Sequence, residues 1–226
     1  LQKLDSYGFV IIVKESSIDS DSKEPSEAST GSYKLSFFQK IILRGITIIL
    51  LVQFFAVCDD ESRQEKKEII LDLFDQLQSE LLSELQDSIR KNGPAASINI
   101  CKTLSPKKEK ELSAKYPGLS IRRISDKNRN PSHAPNEWEA KTLEEWKSWI
   151  RTGKPPFTVF ESNSSEMRAM KPIIIASETC LKCHGPKDKM DANVRRELEK
   201  NYPNDKAFGY SVGELRGAFS ATWKRF

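Results

Sequence analysis

Two histidines and four cysteines are all the imidazole and thiol in 226 residues, and methionine first occurs at Met167. No Ser/His/Asp set can be assembled, and no glycine-rich loop is present to cradle a phosphate. Nothing else in the sequence points to catalysis, so the chain reads as a non-enzyme. Arginine-rich stripes and RNA-binding aromatic signatures are also missing. The 36 Lys/Arg and 32 Asp/Glu are interspersed and leave a net charge of only +4, so nucleic acid is not an expected partner. No internal repeat is found.

A run of apolar residues long enough to span a bilayer comfortably is lacking too. The main one, Gly45 to Val57, has 13 residues and is broken only by Thr47 and Gln53. As a helix it covers roughly 20 Å, against a hydrocarbon core of roughly 30 Å. Lys34, Lys40 and Arg44 precede it, and Cys58 is followed at once by Asp59, Asp60 and Glu61. A positive flank, a short apolar core and an abrupt polar boundary read as an export signal. "FFAVC" resembles a lipoprotein cleavage box in which Cys58 becomes the lipidated first residue, although Val57 departs from the usual small residue before the cysteine. Cleavage after Cys58 and an uncleaved anchor over residues 41–57 are the alternatives. The reading is an exported, periplasmic, membrane-attached protein. Residues 1–33, Ser-rich and polar over residues 15–32, are expected to be a disordered or mis-annotated extension. Residues 34–58 form the signal peptide or anchor, and residues 59–226 one domain, large enough to fold without disulfide staples.

Within that domain, Ile70, Leu73, Phe74, Leu77, Leu81, Leu85 and Ile89 recur at three- and four-residue steps and predict an amphipathic helix ended by Gly93 and Pro94. Pro94 opens a second helix carrying Cys101. Ser105 and Pro106 are expected to cap and open a third, stopped by Pro117 and Gly118. "LSIRRIS" alternates as a strand. The loop "DKNRNPSHAPN" leads to a helix with Trp138, Leu143, Trp146 and Ile150, closed by Gly153. "PFTVFES" and "MKPIIIA" read as paired strands, "ANVRRELEKNYP" as a short helix, and Leu215 to Trp223 as a final strand. Helices first and then a sheet with crossing helices predict an α+β fold.

The chemistry concentrates in "CLKCH", Cys180 to His184. A c-type haem needs two thiols spaced to reach both vinyl groups and a histidine next in line to sit beneath the iron. Two rivals remain open. A zinc site needs four ligands, and only scattered ones exist to complete it: Cys101 with Cys180, Cys183 and His133 or His184. A redox dithiol prefers to start a long helix, whereas Gly185 and Pro186 follow within three residues of Cys183.

Four segments in order, "INICKTLSP", "RISDKNRNPSHAPNEWE", "CLKCHG" and "DKAFGYSVGELRGAFS", together resemble one family. It is the exported c-type haem domain of PAS-like fold first described in cyanobacteria, sometimes found ahead of sensor histidine kinases. The similarity covers roughly residues 65 to 224. It implies a PAS-like domain with N-terminal helices packed on an antiparallel sheet, and one covalent haem c held by Cys180 and Cys183. It further implies His184 as proximal ligand and Cys101 as distal thiolate. The alternative for Cys101 is a small buried hydrophobe. His133 departs from the family, which tends to have Asn there. It reads as a solvated loop histidine, with a competing axial ligand or a proton-linked group as the sharper idea. Met167, Met170 and Met190 are further distal candidates. Arg129 and Arg216 are candidates to pair with haem propionates, set against surface or strand-end arginines. Thiolate and imidazole together fill both axial positions and lower the reduction potential. The expected function is low-potential electron transfer to a separate redox partner protein. The alternatives are a haem-based redox or gas sensor module and a zinc-stabilised structural domain.

Overall fold

The computed structural model describes residues 37–224, with side chains from residue 61 onward. The expected N-terminal extension and the side chains of the export segment, Cys58 included, lie outside the described residues. Among those described, no helix is long and apolar enough to cross a membrane. The chain divides into two compact units, Leu1–Gln53 and Phe54–Phe226, and the architecture below is that of the second.

Helix α1 (Phe37–Ser113) is interrupted at Gly93, whose φ of 78° and ψ of 169° break the helical path just before Pro94. Ahead of that kink, Ile70, Leu73, Phe74 and Leu77 are buried, so the first half of the predicted apolar stripe is core. Leu81 packs only partly against it. Beyond the kink the expected third helix does not begin afresh, because α1 continues through Pro106. Proline removes one helical hydrogen bond. Here the Ser105 hydroxyl, instead of capping a new helix, donates to Glu109 Oε1 at 2.8 Å, and Arg123 donates to Ser105 Oγ at 2.5 Å. These contacts clamp the turn on both sides of the proline.

Four strands follow: β1 (Leu119–Ile124), β2 (Val159–Ser162), β3 (Glu166–Ile174) and β4 (Leu215–Lys224). They form one antiparallel sheet in the order β1-β4-β3-β2, so the last strand lies inside it. Between them come α2 (Glu137–Arg151), α3 (Glu178–His184) and α4 (Ala192–Asn201). Side-chain alternation along β4 sorts the two faces. Phe219, Ala221 and Trp223 join Ile121 and Ala169 in packing against Phe74 and Leu77 of α1. Ala218 packs on the other face with Ile124, Leu143 and Trp146, and so with α2. The fold is α+β, with helices on both faces of an antiparallel sheet.

Two local devices fix this arrangement. Asn136 accepts from the Glu139 backbone N–H, and Glu139 Oε2 accepts from the Asn136 N–H, a reciprocal cap that starts α2. Glu139 is itself buried, accepting from Ser220 Oγ of β4 at 2.6 Å and from Arg122 of β1 at 2.5 Å. Gly217 in "GELRGA" has φ of 156°, and a Cβ there would stand 2.2 Å from the Ile124 carbonyl oxygen. Only glycine lets β4 approach β1 so closely.

A third core cluster sits apart from the sheet. Ile98 of α1 meets Met190 and the α4 residues Val194 and Leu198, with Cys183, Tyr202 and Phe208 packed against them. This layer carries the candidate site.

Candidate functional site

Cys180, Cys183 and His184 all lie on α3, a helix of seven residues. It ends where Gly185 and Pro186 predict, and a Cβ at Gly185 would meet the Leu181 carbonyl oxygen at 2.7 Å. Cys101, Cys180 and Cys183 are free thiols. Burial pushes the Cys183 thiol up, opposed by the Arg129 charge and reinforced by Cys101. Burial also pushes the Cys101 thiol up, opposed by Arg123 and Arg129.

The His184 ring is oriented by backbone. Its Nδ1 lies 2.8 Å from the Ala207 carbonyl oxygen. Arg129 also stands 3.4 Å from Nδ1, but a guanidinium can only donate. The carbonyl therefore sets the tautomer: Nδ1 carries the proton, and Nε2 is left with its lone pair and no hydrogen-bond partner among the described residues. Burial lowers the His184 pKa well below its ordinary value, helped by the charges of Arg216 and Arg129 and opposed by the bond to Ala207. A neutral imidazole with Nδ1–H on a carbonyl is how metal-binding histidines are commonly held. The ring also meets Tyr210 edge-on, with centroids 6.2 Å apart.

The two candidate arginines are placed differently. Arg129 pairs through Nε with Asp205 Oδ2 at 3.0 Å and donates to the carbonyls of Cys183 at 2.6 Å and Ala207 at 3.1 Å. Arg216 stacks on Tyr210 with its guanidinium 5.6 Å from the ring centroid, and its Nε is buried with no partner. Burial lowers its pKa to about 10, an effect Tyr210 opposes and Arg129 reinforces. That sequestered guanidinium fits an anion such as a propionate.

The methionines separate. Met167 and Met170 are core residues in the two sheet-facing clusters, while Met190 packs beside Cys183. His133 is not a solvated loop residue. It closes a short 3-10 turn (Pro131–His133), its side chain is 13% exposed, and its Nε2 lies 3.1 Å from Glu109 Oε2. The sequence predicts a solvated histidine there because its partner lies on α1, 24 residues upstream. Sequence reasoning also missed Asp205, Ala207 and Tyr202. Ala207 acts through its carbonyl, which no side-chain pattern reports. Tyr202 is pushed up to about 12 by burial and the neighbouring Cys101.

Two free thiols on a short helix, a neutral imidazole with an unengaged Nε2, a third thiol on α1 and an arginine with a buried, unpartnered Nε make a donor set that fits a haem. No three His, Cys, Asp or Glu side chains converge as a bare metal ion would need, among the described residues.

No curated protein matches the chain. A solved structure, that of the cyanobacterial haem-protein Tll0287, is 27% identical and aligns over 56% of this chain and 72% of its own, with a TM-score of 0.47. The Tll0287-like family model matches residues 60–223, which takes in Cys101, the CLKCH segment and both candidate arginines, and the chain belongs to the Tll0287-like family.

Proposed function

We propose that the chain is an exported c-type haem protein that carries electrons at low potential, with one haem bonded to Cys180 and Cys183 and ligated by His184 and Cys101. The observation that carries this reading is the His184 ring: Nδ1 held on the Ala207 carbonyl, Nε2 left free, on the same seven-residue helix as two free thiols. Family membership supports it, since the family's namesake is described as a haem-protein.

Bound, the haem would supply a one-electron couple. His184 would present Nε2 as the proximal nitrogen. Cys101, on the helix opposite, would give a thiolate, an electron-rich donor that favours the ferric state and a low potential. Held by both His184 and Cys101, the haem would leave a substrate no open coordination site. Arg216 would offer its unpartnered Nε–H to a propionate. The apolar wall of Ile98, Val194 and Leu198 would exclude water from one side. Export belongs to the same reading, because c-type haem is attached outside the cytoplasm, and membrane attachment through Cys58 or an N-terminal anchor goes with the export segment. A zinc-stabilised domain is disfavoured by the scatter of its candidate ligands.

One observation favours a second reading, a redox or gas sensor. Burial holds the Cys101 thiol up, so protonation on reduction would release it and open the iron. Spectra of the chain and of Cys101→Ala, matured in a periplasm with cytochrome c machinery, test both. Electron transfer predicts a thiolate-type ferric spectrum that is lost in Cys101→Ala while haem stays attached, and a ferrous form that does not bind CO. Ready CO binding by the ferrous protein would favour the sensor. An unchanged spectrum in Cys101→Ala would remove the thiolate from the account.

A further inference from the structure

The carbonyl of Ala207 serves two donors at once. The His184 ring approaches through Nδ1 at 2.8 Å and the Arg129 guanidinium at 3.1 Å. The same guanidinium nitrogen reaches the carbonyl of Cys183, the residue immediately before His184, at 2.6 Å. Asp205 holds the assembly from behind, with Oδ2 on Arg129 Nε at 3.0 Å and Oδ1 accepting from the Ala207 N–H at 2.7 Å. Asp205 thus sets the turn that presents the carbonyl and the arginine that competes for it. Both members of the pair are largely buried, with side chains 13% and 9% exposed, so solvent does little to screen them.

We propose that Arg129 is a positioning residue for His184, and that the Arg129–Asp205 pair tunes the iron's reduction potential through the shared Ala207 carbonyl. The inference rests on the haem reading above. A carbonyl that accepts only from Nδ1–H draws that proton strongly and makes the imidazole a better donor, which favours ferric iron. Arg129 diverts part of that acceptor strength and adds a positive charge beside the ring. Both effects favour the ferrous state. Asp205 opposes them by neutralising the arginine. The geometry thereby separates the two arginines by task. Arg129 spends its Nε and one terminal nitrogen on protein acceptors, and Arg216 has a buried Nε to spare.

The test uses Arg129→Gln, Arg129→Lys and Asp205→Asn in the full chain, with two readouts. The first is the reduction potential of the haem-loaded protein. Arg129→Gln is expected to shift it down, Arg129→Lys to recover much of that shift, and Asp205→Asn, which keeps an oxygen for the Ala207 N–H, to shift it up. A merely structural role would loosen the site in both variants and move them the same way, which would overturn the proposal. The second readout is the His184 ring by nitrogen NMR, in the diamagnetic ferrous state where haem is present. It reports the Nδ1–H tautomer whether or not haem is attached. Wild type is expected to show Nδ1–H, with the proton moving downfield in Arg129→Gln as the carbonyl turns wholly to it. An Nε2–H tautomer, or an Nδ1–H resonance indifferent to Arg129, would overturn the proposal and return Arg129 to a propionate role. A responsive Nδ1–H in a chain without covalent haem would sink the cofactor reading while sustaining the positioning of the ring. Should Arg129→Gln fail to accumulate, the near-isosteric Asp205→Asn carries both readouts alone.

Discussion

Glu139 is the carboxylate on which α2, β1 and β4 converge, and two substitutions separate its charge from its shape. Glu139→Ala removes the acceptor of the Asn136 N–H, worth about 1 kcal/mol as half of a helix cap. It strands the hydroxyl of Ser220, which is 2% exposed, at about 1–3 kcal/mol. It also deletes the pair with Arg122, whose side chain is 31% exposed, so that contribution is discounted to about 1 kcal/mol. The sum is about 3–5 kcal/mol, or roughly 6–20 °C in melting temperature for a domain of this size. Glu139→Gln keeps the shape. Its oxygen can still accept from Asn136 and Arg122, and its amide can donate to Ser220 if that hydroxyl rotates. The cost should fall to about 1 kcal/mol, the charge alone. Urea unfolding of the two variants beside wild type reads both. Equal losses in the two would show that charge, not bonding, dominates. A loss under about 1 kcal/mol in Glu139→Ala would refute the convergence argument itself.

Gly217→Ala should cost about 3 kcal/mol or more, because its Cβ would collide with the Ile124 carbonyl oxygen, and thermal melting or loss of soluble protein reports it. Glu109 predicts an acid limb: burial pushes its carboxyl up, but the His133 bond and charge, Arg123 and Ser105 outweigh burial and hold it below 4.5. A depressed carboxyl adds stability above its unfolded pKa and loses it as pH falls through the folded one. Urea midpoints taken from about pH 6 to about pH 3 should therefore decline more steeply in wild type than in Glu109→Gln. Arg216→Met should leave haem attachment intact and lower the melting temperature of the loaded protein more than that of the haem-free chain, since the guanidinium lacks an Nε partner in the chain itself.

Periodic patterns were legible in the sequence. The first half of the α1 stripe, the helix carrying Trp138, Leu143, Trp146 and Ile150, and the alternation of β4 each require particular residues at a fixed interval, and each appears where expected. Pro106 misled because its signal is local, whereas Ser105, Glu109 and Arg123 hold the helix together across it from a strand reached later in the chain. His133 misled for the same reason, its partner Glu109 being on α1. The loop and tail motifs look unrelated as text. In the fold, the Lys206 N–H donates to the Asn128 carbonyl at 3.2 Å, and Arg129 reaches Ala207, so one supports the other at His184. That support runs through main-chain carbonyls, which any residue supplies, so sequence could not single out Ala207.

The central claim is that Cys180 and Cys183 hold a haem covalently. The direct measurement is haem absorption retained by the denatured, acid-extracted chain after maturation in a periplasm with cytochrome c machinery, beside a Cys180→Ser/Cys183→Ser double variant. The account predicts haem that stays with the wild-type polypeptide and is extracted from the double variant. Wild-type chain that emerges without haem, under conditions that mature a control cytochrome, would contradict it.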